Sequence, residues 1–141
     1  MDQHLHLITL GVRDYEASKK FYAETLGWRA SGNSNDDITF FQAGGIVLSI
    51  YPREELAEDA LVDPEGHGFA GFTLAYNAQS EAEVDEIIRD LKAKGVKILK
   101  ESQKVFWGGY SSYFADPDGY CWEVAYNPFF PFDENGNLKL E

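Results

Sequence analysis

Tyr113-Phe114-Ala115-Asp116-Pro117-Asp118-Gly119-Tyr120-Cys121-Trp122-Glu123-Val124 spells out a hairpin in one line of sequence. Proline sets φ inside the Asp116–Gly119 turn and glycine admits φ > 0 at its end. Strands are therefore predicted at about 110–115 and 120–126. An earlier stretch, Phe41-Gln42-Ala43-Gly44-Gly45-Ile46-Val47-Leu48-Ser49-Ile50, ends in the same way when Gly45 is laid on Gly119. Ser49 then falls opposite Glu123. The fold assignment rests on this repeat.

Working outward, each hairpin closes the same series of elements. In the first half, residues 5–12 read as a strand, and Asp14 caps a helix to about Leu26. Tyr15, Ser18, Tyr22 and Leu26 share one stripe of that helix, and Gly27 stops it. Strands follow at about 28–33, 37–43 and 46–51. In the second half, a strand at 69–76 precedes a helix opened by Ser80 and Glu83 at capping-box spacing. Val84, Ile87, Ile88 and Leu91 line its buried side and Gly95 ends it, before strands at about 96–100, 110–115 and 120–126. With Leu10 matched to Leu74 in the opening strands, Leu7 falls opposite Gly71. The reading is one domain, residues 1–141. It holds a βαβββ module at 5–52, a connector at 53–68 with a short helix near Glu54–Ala60, a second βαβββ module at 69–126, and a tail at 127–141.

Composition narrows the function. Among 141 residues, 24 acidic against 12 basic side chains leave a net charge of −12. Such a surface disfavours nucleic acid and an anionic membrane surface, both of which need a basic face. One cysteine, Cys121, excludes an internal disulfide. Met1-Asp2-Gln3-His4 lacks the basic-then-apolar pattern of a secretory leader, and no apolar run approaches the ~20 residues of a membrane span. A soluble, cytoplasmic location is expected.

Strand alternation separates two faces. Ile8, Leu10, Val12, Leu48, Ile50, Phe72, Leu74, Tyr76, Trp122 and Val124 form a bulky face, expected beneath the helices. The other face carries small or polar residues, among them Thr9, Gly11, Ser49, Tyr51, Gly71, Thr73, Cys121 and Glu123. A sheet face short of bulk either lines a cavity or receives something large from elsewhere. The aromatic residues Phe106, Trp107, Tyr110 and Tyr113 are the candidate fillers.

Two βαβββ modules with these end signals resemble the vicinal oxygen chelate superfamily, the glyoxalase, bleomycin-resistance and extradiol-dioxygenase group. The carrying residues are Leu7 to Asp14, Ser18 with Phe21-Tyr22, Leu26-Gly27-Trp28, then Tyr113 to Gly119 and Trp122-Glu123-Val124. The resemblance spans about residues 5–126 and is specific for the superfamily, not for one activity. It implies an α+β fold in which the tandem modules form a curved, partly open sheet with helices outside. It also implies a homodimer, for which Phe129, Phe130 and Phe132 of the tail are a candidate interface. In metal-dependent members a divalent ion is held on the concave face by His, Gln and Glu. Those positions map onto Leu7, Ser49, Gly71 and Glu123, of which Glu123 alone retains a ligand of the expected kind. No metal or other cofactor is expected. His4 and His6 flank the first mapped position, and His67 reads as part of an exposed loop.

Glu123 therefore needs another account. A carboxylate on a partly apolar face is costly unless paired. It is either a general base or acid, an anchor for a cationic or hydroxyl-bearing ligand, or a structural group held by neighbouring hydroxyls. Gly108-Gly109 lacks the context of a phosphate loop and reads as a turn beside Trp107. Cys121 reads as a structural thiol. The resulting expectation is metal-independent binding of a small apolar or aromatic molecule. Trp107, Tyr110, Tyr113 and Tyr51 supply stacking surface, Ser49, Thr9, Thr73 and Cys121 line the site, and Glu123 is its polar anchor. The alternative is a glyoxalase-like lyase or isomerase, or an oxygenase, in which Glu123 is catalytic.

Overall fold

A computed structural model describes residues 1–140. The fold is α+β, and the chain divides into two compact units. The first comprises residues 1–66 with 134–137, and the second residues 67–133 with 138–140.

In the first unit, β1 (Leu7–Val12) leads into α1 (Tyr15–Lys20), which continues as one wider π-helical turn over Phe21–Thr25. Asp14 caps α1 by accepting the Ala17 N–H at 3.0 Å, and Gly27 ends the segment at φ +73°. Then come β2 (Thr39–Ala43), β3 (Ile46–Pro52) and α2 (Arg53–Ala60). The strand order is β1-β3-β2, with β1 parallel and β2 antiparallel to β3. Leu10, Val12, Leu48 and Ile50 are buried with Phe21, Tyr22 and Phe41, on the side where Tyr15 of α1 bonds Thr39.

The strand expected at 28–33 is reduced to one bridge, Ala30 to Phe41. Local side chains take over its backbone. Ser31 Oγ accepts from the Asn33 N–H, Asn35 Oδ1 from those of Asp37 and Ile38, and Ser34 Oγ from that of Phe40. Ser and Asn compete with sheet pairing in this way.

The second unit holds β4 (Leu74–Ala78), α3 (Glu81–Ala93), β5 (Lys97–Lys104), β6 (Tyr110–Ala115) and β7 (Cys121–Tyr126), in strand order β4-β7-β6-β5. Ser80 caps α3, whose Val84, Ile88 and Leu91 are buried, and the cross-strand pair Phe114–Trp122 stacks at 6.1 Å. β4 starts five residues later than the predicted 69–76, after Gly68 and Gly71, both at positive φ. Phe72 therefore lies outside the sheet, 40% exposed against Tyr120. Tyr76 reaches the α3 side but sits at its rim, its hydroxyl donating to Glu83 at 2.9 Å.

Candidate functional site

Strand alternation predicts an open, small-residue face in the first unit. Thr9 and Ser49 do meet there as a cross-strand pair, their hydroxyls 2.7 Å apart. Ser49, however, is fully buried, which leaves it no surface for a ligand. The filler of this face is α2. A Cβ on Gly11 would lie 3.1 Å from Leu56 Cδ2 and 3.2 Å from Arg53 Cα, so glycine lets the helix rest on the strand. Tyr51 turns to the same helix, and its hydrogen bond to Glu55 pushes the phenol above its ordinary value of 10.0.

In the second unit the corresponding face is partly open and collects polar groups, with Tyr113, Cys121 and Glu123 half-buried and Ser111 fully buried. Tyr113 and Glu123 are directly opposed on β6 and β7, and Ala75 of β4 lies opposite Glu123 on the other side. Ser111, two residues from Tyr113 and hence on the same face, donates its hydroxyl to Glu123 Oε1 at 2.8 Å. Tyr113 stands directly across the strands from Glu123, and Thr73 lies close enough to act on its phenol. Burial first, then the adjacent carboxylate, push the Tyr113 phenol above 10.0; Thr73 acts in the opposite direction. Cys121 stands on this face beside Tyr113, half-buried. Lys100 of β5 completes the group, with Nζ 3.5 Å from Ser111 Oγ and 5.2 Å from the Tyr113 ring centre.

Two expected members are elsewhere. Tyr110 has the opposite strand parity from Tyr113 and turns to α3, its hydroxyl donating to Asp85 at 2.9 Å. Trp107 sits at the β5–β6 turn with its ring against Gly109, three residues before Tyr110. Phe106 at that turn is fully exposed rather than a filler. Ser111 and Lys100 join the site without having been singled out by sequence. Ser111 was legible from its spacing to Tyr113. Lys100 was not, because register shifts on either side of its pairing with Tyr113 re-aim the strand.

The register also corrects the repeat. Leu10 pairs with Ile50, whereas Tyr76, not Leu74, pairs with Val124, the equivalent of Ile50. The opening strands are thus related two residues further on, and the counterpart of Leu7 is Thr73 rather than Gly71.

Residues 4–124 match the Glyoxalase/Bleomycin resistance protein/Dioxygenase superfamily. The chain belongs to this superfamily. It is 36% identical to a glyoxalase-related enzyme from Fulvimarina pelagi, with a TM-score of 0.88 and 98% of each chain covered. It is 30% identical to the uncharacterized protein YqjT of Bacillus subtilis, covering 81% of this chain and 91% of that one. The fosfomycin resistance protein FosX of Listeria monocytogenes is 31% identical, over 83% of this chain and 84% of its own.

For this superfamily member the residues at the expected metal positions are Leu7 and Ser49 in the first unit and Thr73 and Glu123 in the second. The first pair offers one hydroxyl and the second one hydroxyl and one carboxylate, and neither pair is a donor set that fits a divalent ion. Among the described residues no three His, Cys, Asp or Glu side chains come together to hold one. His4 and His6 are exposed ahead of β1 with their rings stacked at 4.3 Å, and His67 is exposed in the connector. No helix among the described residues is long and apolar enough to cross a membrane.

Proposed function

We propose that the protein binds a small, partly apolar molecule without a metal ion, on the Glu123 face of the second unit. The observation that carries this reading is a carboxylate on a partly open sheet face, with the buried Ser111 hydroxyl donating to it and the half-buried Tyr113 directly opposite. Such a group fixes the orientation of a ligand bearing a hydroxyl or amine, while Ala75 and the Tyr113 ring supply apolar surface. A relative named for resistance to fosfomycin, a small molecule, supports a small-molecule ligand here. The functional unit in this reading is a homodimer in the cytoplasm.

One observation favours a catalytic reading beside it. Tyr113 and Glu123, directly opposed on β6 and β7, set a phenol beside a carboxylate, an acid and base pair of the kind a lyase or isomerase needs. The Glu123→Gln variant separates the two. Titration of the full chain with 2-phenylethanol and with indole, followed by calorimetry, should give saturable binding that weakens about tenfold in the variant. Unchanged affinity with lost turnover makes Glu123 catalytic. Stoichiometric metal retained after incubation with nickel, zinc, manganese or iron(II) overturns the metal-free reading.

A further inference from the structure

On the second unit's face, Thr73 and Glu123 offer one hydroxyl and one carboxylate, which does not fit a divalent ion. A lysine ammonium stands on the same face instead. Lys100 Nζ lies 3.5 Å from Ser111 Oγ, and Ser111 in turn donates to Glu123 Oε1 at 2.8 Å. The chain of contacts runs ammonium, hydroxyl, carboxylate. Lys100 is half-buried and its charge faces the Tyr113 ring at 5.2 Å. Of its three N–H donors, one is directed to Ser111.

We propose that Lys100 replaces a bound cation on this face and makes the site select a small organic acid, one carrying a carboxylate for the ammonium and a hydroxyl or amine for Glu123. The inference rests on the metal-free binding reading above and names its ligand class. Charge counting supports it. One ammonium and one carboxylate sum to zero, so a ligand with both an acidic and a donor group leaves neither protein charge unpaired. A purely apolar molecule laid over the face would strip water from both charges and return nothing. The net charge of −12 repels multiply charged anions at long range, so recognition relies on the short-range ammonium contact. Lysine serves here as a point charge on a flexible stem, which tolerates different acid geometries.

Four probes with one aromatic body test this: phenylacetate, phenylalanine, phenethylamine and 2-phenylethanol, titrated into the full chain by calorimetry. The expected result is tighter binding of the two acids, with phenylalanine ahead. Lys100→Gln should lose the preference for acid by about tenfold, and Lys100→Arg should largely keep it. Equal affinity for 2-phenylethanol and phenylacetate, unchanged by Lys100→Gln, overturns the role of Lys100 while small-molecule binding stands. Saturable binding of none of the four overturns both. Should Lys100→Gln fail to fold, a salt series tests the same contact on the unaltered chain. Added sodium chloride must then weaken the acids and spare the alcohol, and equal loss for both overturns the proposal.

Discussion

Ser18 is buried to 1% exposure in α1, and its hydroxyl has no hydrogen-bond partner. The sequence places it on the buried stripe with Tyr22, where a small residue fits beneath the sheet. Its size suits the position and its polarity does not. An orphaned buried hydroxyl costs about 1–3 kcal/mol. Ser18→Ala should therefore raise the urea midpoint, with a gain of about 1 kcal/mol, since one lost oxygen leaves little space behind. Glu123 is the contrasting case. Its partner Ser111 gives the polar atoms on that face a role, and such satisfied groups hold their geometry. The difference between these residues is not visible in their spacing, because hydrogen bonding depends on neighbours from other strands.

α2 is the element that most changes the expected site. Its position as a short helix near 54–60 is legible, and it forms over Arg53–Ala60. Its destination is not. A weakly amphipathic, acidic helix carries little periodic signal, so nothing local says that Leu56 rests on Gly11. The arginines fix it there, Arg53 Nε donating to the Pro64 carbonyl at 2.7 Å and Arg13 to that of Gly66. Gly11→Ala should push this helix outward, because backbone at Arg53 Cα cannot yield as a side-chain tip can. The expected loss is about 1–3 kcal/mol, with faster amide hydrogen exchange across α2 than across α3. Equal exchange in both helices would show that α2 does not depend on this contact.

At the scale of the whole molecule, tyrosine couples stability to pH. Hydrogen bonds to Glu55 and Asp85 push up Tyr51 and Tyr110, and burial leads at Tyr76 and Tyr113. Each of the four holds its proton more tightly folded than unfolded. Their stabilisation is complete below about pH 10 and is lost as pH rises through the raised values. Urea midpoints measured up a pH series should fall once the solution passes about pH 10. Tyr113→Phe should reduce that fall, and an identical alkaline slope in the variant would remove Tyr113 from the account.

The sequence by itself determined the α+β class, the caps at Asp14 and Ser80, and the superfamily. These follow from periodicity, turn chemistry and short-range hydrogen bonds, all written within a few residues of one another. It also singled out Glu123, because a carboxylate between Trp122 and Val124 on an alternating strand faces away from the core. Tertiary structure alone decided which face stays open, because that depends on where α2 packs. It likewise decided the two-residue shift that makes Thr73 the counterpart of Leu7, and the bulged pairing that brings Lys100 to Ser111. Strand register and bulges are set by pairing between distant segments, and a one-residue change reverses every side chain.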